Sequence, residues 1–514
     1  MTSSQIFMTI SIVVYLALMV FIGVWFSKRN KNTDDFYLGG RQLGPLVTAM
    51  SAEASDMSSW LLMGIPGAAY LSGLASDFWT ILGLGIGTYL NWLFVAKRIR
   101  RYSVISGNSI TLPQFFSNRF GDNRRMLTAI AALVIIVFFI PYTASGFAAC
   151  GKLFNSLFGV DYLPAMIISA LVIIAYTALG GFLAASTTDL IQSIVMTISI
   201  FAVLFYGVHV AGGFEQVLIN GDKLQGYLSL TATHNAETGG AESIGVIDII
   251  STMAWGLGYC GMPHILLRFM AIKDDSKLKT SRRIATVWVF ISMAVAVLIG
   301  IAGSAATAAG KVAKLEGSDS ETILVKFADL ISQHGFGAAL FAGVILAGIL
   351  AATMSTSDSQ LLAASSSVSQ NLIKEVFRIN VSPKAEMAIA RISLVVISII
   401  GMFIARDPDS SVFMIVSFAW AGFGASFGPV VLCALFWRRT NKWGALAGMI
   451  TGGSMVFIWK YLIRPLGGGW DIYELLPAFL LALAMIIIVS LITGQPDKQV
   501  LDEYDQYKAA MQEN

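Results

Sequence analysis

Charge is what this chain has least of. Only 13% of its 514 residues are Asp, Glu, Lys or Arg, against about 25% in soluble domains, which excludes an ordinary soluble enzyme. Strong net charge is missing too: 34 basic and 31 acidic residues leave +3. With no basic cluster interleaved with aromatics, nucleic acid is not an expected partner. Cysteine is scarce. Cys150, Cys260 and Cys433 are the only three, and they sit in or beside apolar stretches without paired spacing, so neither a disulfide framework nor a cysteine metal site is indicated. The four histidines are scattered and complete no hydrolytic triad with the serines. The glycines form no phosphate loop, and no nucleotide motif is present to energise a pump. The chain reads as no enzyme, with no organic cofactor and no evident obligate protein partner.

What is present in abundance is apolar sequence: 56% hydrophobic residues and a mean hydropathy of +0.72. A membrane-spanning helix takes about 20 such residues. Stretches of that length fall near residues 5–26, 46–72, 76–96, 126–150, 162–182, 188–212, 246–270, 283–309, 336–372, 386–405, 411–437, 443–463 and 473–494. That predicts an all-α polytopic membrane protein of about thirteen spans, with the lipid bilayer as its surroundings. No positive charge precedes the first run, whereas Lys28, Arg29 and Lys31 follow it, so it reads as a retained helix rather than a signal peptide. With the N-terminus placed outside and the C-terminus inside, the inner connections hold about three times as many Lys and Arg as the outer ones, the bias expected for that orientation. Residues 1–494 are expected to form one transmembrane domain. The polar outer connection near 213–245 and the charged cytoplasmic tail 495–514 read as ordinary loop and tail.

Polar residues and helix breakers at membrane depth are costly unless they line a buried cavity. The second stretch contains Ser51-Ala-Glu-Ala-Ser-Asp-Met-Ser-Ser-Trp60, with Glu53 and Asp56 among four serines and Gly64, Pro66 and Gly67 following. Each carboxylate near the bilayer centre costs about 2.5–3.5 kcal/mol on insertion scales. The seventh contains Trp255-Gly-Leu-Gly-Tyr-Cys-Gly-Met-Pro263. Three glycines and a proline suit an unwound turn, although a glycine-lined packing face is the plainer alternative. The two breaks are five spans apart. Because five is odd, repeats over about 46–212 and 246–437 would be inverted, and matched breaks in inverted repeats mark a transporter's binding site. A third cluster, Ala351-Ala-Thr-Met-Ser-Thr-Ser-Asp-Ser-Gln360 with Ser365, Ser366 and Ser367 beyond, either bonds its hydroxyls back to helix carbonyls or offers oxygen ligands to a hard cation such as sodium.

At these residues the chain resembles the sodium:solute symporter family. The matching stretches are DDFYLGGRQLGPLVTAMSAEASDMSSWLLMGIPGAAY (34–70), GGFLAASTTDLIQ (180–192), WGLGYCGMPHILLRFMA (255–271), AATMSTSDSQLL (351–362), SFAWAGFGASFGPVVL (417–432) and ALFWRRTNKWGALAGMITG (434–452). The resemblance implies a leucine-transporter-type fold, a five-plus-five inverted repeat with extra helices, in a bacterial cell membrane. It implies a sodium ion held by the backbone carbonyls of Ala54, Met57 and Ala352 and the hydroxyls of Ser355 and Thr356, with Asp56, Ser58 and Arg41 concerned in coupling. The family's proline-transporting branch is similar at Tyr142, Trp255, Tyr259 and Pro263, positions associated with substrate. Sodium-coupled uptake of L-proline is therefore expected, the alternative being a same-fold symporter for pantothenate, a short carboxylate or a sugar. Ser59 and Asp358 depart from the pattern of many relatives. By further resemblance Asp189, Asp358 and Ser359 are expected to form a second cation or proton site, the competing reading being an Asp358 that is protonated or paired with a basic residue.

Overall fold

The structure, a computed structural model, describes residues 2–27 and 33–512; Lys28, Arg29 and Lys31 lie outside the described residues. Among the described residues ten helices are long and apolar enough to cross a membrane. Three shorter apolar helices, Trp60–Ser72, Tyr162–Ala175 and Val246–Gly261, fall in the second, fifth and seventh expected stretches. Each of those stretches is interrupted or kinked. Pro45, Pro263 and Pro383 stand at the first turns of helices, where a missing amide hydrogen costs nothing. Ser382 also caps the last of these helices, and Thr111, Ser411 and Asn441 cap three others, each accepting from a backbone amide.

Helical hydrogen bonding runs almost unbroken over Tyr162–Val210, 49 residues, with Gly181 alone in a non-helical conformation (φ 71°, ψ −177°). At 1.5 Å per residue a straight rod of that length would reach about 74 Å, more than twice the roughly 30 Å hydrocarbon layer. The chain therefore has to turn, and glycine alone takes that φ without strain. Both readings of the seventh stretch hold together. It is broken, and its glycines also pack: a Cβ on Gly256 would lie 2.1 Å from the Gly83 carbonyl oxygen, so the N-terminal half of the stretch lies flush against Leu74–Leu90. Close backbone approach is how helices associate where lipid gives no hydrophobic drive.

Two segments expected to be plain loop and tail are structured. The connection 213–245 holds a helix, Phe214–Lys223, and an antiparallel hairpin of Ala232–His234 with Ala241–Ser243, a small departure from an all-α chain. The tail forms the helix Lys498–Gln512, which buries Val500, Tyr504 and Tyr507. Tyr507 stacks on Tyr102 with ring centroids 4.3 Å apart, and its hydroxyl donates to the Leu435 carbonyl at 3.2 Å. At the rim, Arg438 grips Asp505 through two hydrogen bonds of 2.8 and 2.7 Å and holds that carboxyl below its ordinary range.

Candidate functional site

The helix Pro45–Asp56 ends in midspan. Met57 leaves the helical region (φ −75°, ψ 62°), and a wide π turn, Trp60–Gly64, restarts the chain toward Ile65–Ser72. The break frees backbone groups, and side chains take some of them up. The Asp56 carbonyl accepts from the Trp60 indole at 3.0 Å and from the Tyr142 hydroxyl at 3.3 Å. The Met57 amide still donates to the Glu53 carbonyl at 2.7 Å, while the Ser58 hydroxyl accepts from the Trp60 amide at 3.4 Å. In the seventh stretch, Val246–Met253 tightens into a 3-10 segment, Ala254–Gly261. Met262 is then extended (φ −76°, ψ 111°) before Pro263–Ala271 resumes the helix. Gly258 is required there, because a Cβ would lie 1.9 Å from the Trp420 indole nitrogen.

The two breaks meet. The Tyr259 hydroxyl donates to Asp56 Oδ2 at 2.6 Å, so one aspartate receives Tyr259 on its carboxylate and Tyr142 on its carbonyl. Around them stands an aromatic wall: Trp255 lies 5.3 Å from Tyr473 and 6.3 Å from Trp420 in stacked geometry, and 6.2 Å from Trp60. Tyr142, Trp255, Tyr259 and Pro263 are all buried.

On the other side of the first break lies the helix Phe336–Ser366. The Ser355 hydroxyl points at the Ala54 carbonyl (2.8 Å) and at the Ala352 carbonyl (3.1 Å). Thr356 Oγ1 is buried with no hydrogen-bond partner among the described residues. Of the residues that the resemblance implies for sodium, Ala54, Ala352 and Ser355 are thus brought together, and Thr356 follows Ser355 in the same helix. Met57 is fully buried at the break itself. An oxygen-only donor set with an unpartnered hydroxyl suits a small hard cation.

One turn further along the same helix the chemistry changes. The Ser359 hydroxyl lies 3.1 Å from Asp358 Oδ1 and also accepts from Arg268 Nη2. That same nitrogen lies 3.2 Å from Asp189 Oδ2, and the Ser51 hydroxyl donates to the same oxygen at 2.6 Å. Arg268 Nε donates to Ser51 Oγ at 3.0 Å, Nη1 to the His264 carbonyl at 2.9 Å, and the guanidinium lies over the Phe182 ring. Asp189, Asp358 and Ser359 do gather, but the cation at Asp189 is Arg268. Arg268 lies in the matching stretch 255–271, and sequence reasoning gave it no role. Its signal was available, since an arginine at membrane depth requires a buried carboxylate.

Arg41 stands apart from both groups. With φ 55°, it donates to the Met270 carbonyl at 2.6 Å and the Ser109 carbonyl at 2.8 Å, beside the backbone bond from Leu43 to the Ala271 carbonyl. It clamps the start of the second stretch to the end of the seventh.

Comparison with known proteins agrees with this architecture. The model of the sodium:solute symporter family matches residues 36–452. The high-affinity proline transporter PutP of Bacillus subtilis is 42% identical over 96% of this chain and 100% of its own length. The sodium/proline symporter of Escherichia coli is 40% identical over 95% and 94%. Among solved structures, that of a Na+-coupled sialic acid symporter in a substrate-bound outward-open state superposes with a TM-score of 0.77 at 19% identity, covering 96% of this chain and 99% of that one. MhsT in complex with L-phenylalanine gives 0.52 at 14% identity, over 88% and 98%, so the helical framework is shared well beyond close sequence similarity. Matched over most of its length by the family model and by relatives at this level of identity, the chain belongs to the sodium:solute symporter family.

Proposed function

We propose that this multi-pass protein of the bacterial plasma membrane takes up L-proline by sodium-coupled secondary active transport. The observation that carries the reading is the double use of one short segment. Residues 54–57 face the Ser355 hydroxyl through the Ala54 carbonyl and reach the aromatic wall through Asp56 and Tyr259. Relatives named for proline transport, at about 40% identity over nearly the whole chain, supply the solute.

In this reading sodium takes the carbonyls of Ala54, Met57 and Ala352 and the hydroxyls of Ser355 and Thr356. Binding fixes the segment that ends the helix Pro45–Asp56, and with it the Asp56 carboxylate on which Tyr259 rests. Ser58 holds the turn that follows. Tyr142, Trp255, Tyr259 and Pro263 enclose the solute: the rings suit the pyrrolidine, and amides freed at the breaks suit its carboxylate. Coupling of this kind is reciprocal, so proline must tighten sodium as much as sodium tightens proline. One sodium charge moving down 100 mV supplies about 2.3 kcal/mol, roughly fiftyfold accumulation. Alternating access follows from rocking of one bundle against the other, with thirteen spans, the N-terminus outside and repeats over about 46–212 and 246–437. Arg41 keeps the inner ends of the two broken spans moving as one. Asp189 and Ser359 hold Arg268, the fixed cation of this cluster, so no sodium is assigned to Asp189, Asp358 and Ser359.

The test is uptake by purified protein in liposomes. Labelled L-proline should accumulate only with an inward sodium gradient and should be displaced by excess unlabelled L-proline. Accumulation without sodium, or displacement by pantothenate, a short carboxylate or a sugar in its place, would overturn the proposal.

A further inference from the structure

The helix Leu74–Leu90 runs on through a π turn, Asn91–Val95, into Ala96–Ile105. Between it, the broken segment Ala254–Gly261 and the helix Val412–Phe436 lies a groove of about 300 Å³. None of its lining side chains carries a charge, a hydroxyl or an amide. Ile86, Leu90 and Phe94 form an open rim, 40%, 43% and 45% exposed. The opposite wall includes Gly256 and Cys260, so an occupant lies directly behind the segment that carries Trp255 and Tyr259. Apolar surface open to the bilayer is ordinary in a membrane protein and by itself names no ligand.

The charge beside the groove does name one. Phe94 and Leu432 line it from two different helices. One turn beyond each, on the same helices, stand Arg98 and Phe436, and they touch: the Arg98 guanidinium lies over the Phe436 ring, 4.8 Å from its centroid. Arg98 Nη1 also donates to the Phe94 carbonyl at 2.8 Å. A cation therefore stands at one mouth of an apolar groove, with Lys97 next to it in the chain. Nearby arginines are committed, Arg101 to Asp275 and Arg438 to Asp505, whereas Arg98 makes no ion pair among the described residues. A guanidinium offers five N–H donors in a planar fork that matches a phosphate, and the bond to Phe94 leaves most of them free. We propose that this groove and Arg98 bind one anionic phospholipid, an acyl chain lying along the groove and the phosphate on the free edge of the guanidinium. A free phosphate would leave the groove unfilled. A choline headgroup would set a further cation beside Lys97 and Arg98, so the charge selects an anionic lipid.

The proposal does not depend on which solute is carried, and its test uses none. Short-chain phosphatidylglycerol is titrated onto the purified full-length protein in a neutral detergent, with phosphatidylcholine of the same chains as the comparison, and bound lipid is counted per chain. Phosphatidylglycerol should bind about tenfold more tightly, the size expected for a hydrogen-bonded charge pair. Arg98→Gln should bring it down to the affinity of phosphatidylcholine. Ile86→Trp, a change on the open rim, should fill the groove and weaken both lipids; it serves should Arg98→Gln fold poorly. Glycerol phosphate, which has the charge and no chain, should not compete. Equal affinity for the two lipids in the unaltered protein overturns the proposal, as does a preference that survives Arg98→Gln. Glycerol phosphate competing as well as the lipid would show a phosphate site without the groove, and would equally overturn it. So would lipid binding unchanged in Ile86→Trp; if that variant also turned a dimer into monomers, the occupant of the groove would be a second copy of the chain.

Discussion

One helix, Phe336–Ser366, serves two polar clusters a single turn apart, and they are built on opposite plans. At Ser355 and Thr356 every group is a hydroxyl or a carbonyl, and Thr356 Oγ1 has no partner. At Asp358 and Ser359 the surroundings are ionic, and Arg268 is bonded to Ser51, Asp189, Ser359 and the His264 carbonyl. In the mechanism proposed above, the first is left for a cation from solution. The second carries its own cation, tethered to the helix Pro263–Ala271 of the broken span. That mechanism uses both kinds: an ion that leaves with the cargo, and a charge that stays behind.

The largest effect should come from removing the tethered cation. Arg268→Met leaves Asp189 buried and uncompensated, and breaking a buried pair at one end costs about 3–5 kcal/mol. The amount of folded protein in the membrane and its melting temperature should both fall sharply, and Asp189→Asn added to Arg268→Met should restore much of the loss. If Arg268→Met melted like the unaltered protein, the two clusters would not differ in the way described.

Thr356→Ala should do the reverse, sparing the fold and damaging ion binding. A hydrogen-bond-like contact to a charge is worth about 1.5–3 kcal/mol, so the sodium concentration for half-maximal proline uptake should rise roughly ten- to hundredfold. Thr356→Ser should keep most of the affinity. A fall in melting temperature as deep as that of Arg268→Met would mean that Thr356 is structural after all.

Trp255→Ala addresses the solute side alone. It removes a ring stacked on Tyr473 and Trp420 but no oxygen from either cluster. Its half-saturating proline concentration should rise about tenfold, as for loss of a buried aromatic contact, while sodium binding measured without proline stays as before. Weakened sodium binding without proline would place Trp255 in the ion site.

The breaks were legible in the sequence because their causes are local. Glycine, proline and carboxylates at membrane depth are costly in any continuous helix, whatever surrounds them. Gly181 also divides two stretches that hydropathy separates, although the backbone joins them in a single hydrogen-bonded run. The role of Arg268 was not legible, since its partners Ser51, Asp189 and Ser359 come from three other helices and only the packed bundle brings them together. The π turn at Asn91 was invisible too: Asn91 and Trp92 bond Tyr259 and Glu53, which lie on other helices. The docked tail left a trace that was readable, an apolar stripe of Val500, Tyr504, Tyr507 and Met511 at helical spacing in a charged segment. The surrounding charge concealed it.

Asp358→Asn should have the smallest effect and bears most directly on the contrast between the clusters. Asn is nearly isosteric and keeps an acceptor for the bond that the Ser359 hydroxyl makes to Asp358 Oδ1 at 3.1 Å. A sodium ion on that oxygen would stand against the guanidinium already bonded to Ser359, and like charges at such separation in a weakly polarisable interior repel strongly. The number of sodium ions moved per proline, read from the reversal potential of proteoliposome uptake, should therefore be unchanged, with uptake within about twofold of the unaltered protein. One ion fewer per proline would mean that Arg268 swings away during the cycle and sodium replaces it, so that the tethered cation and the borrowed one take turns at a single place.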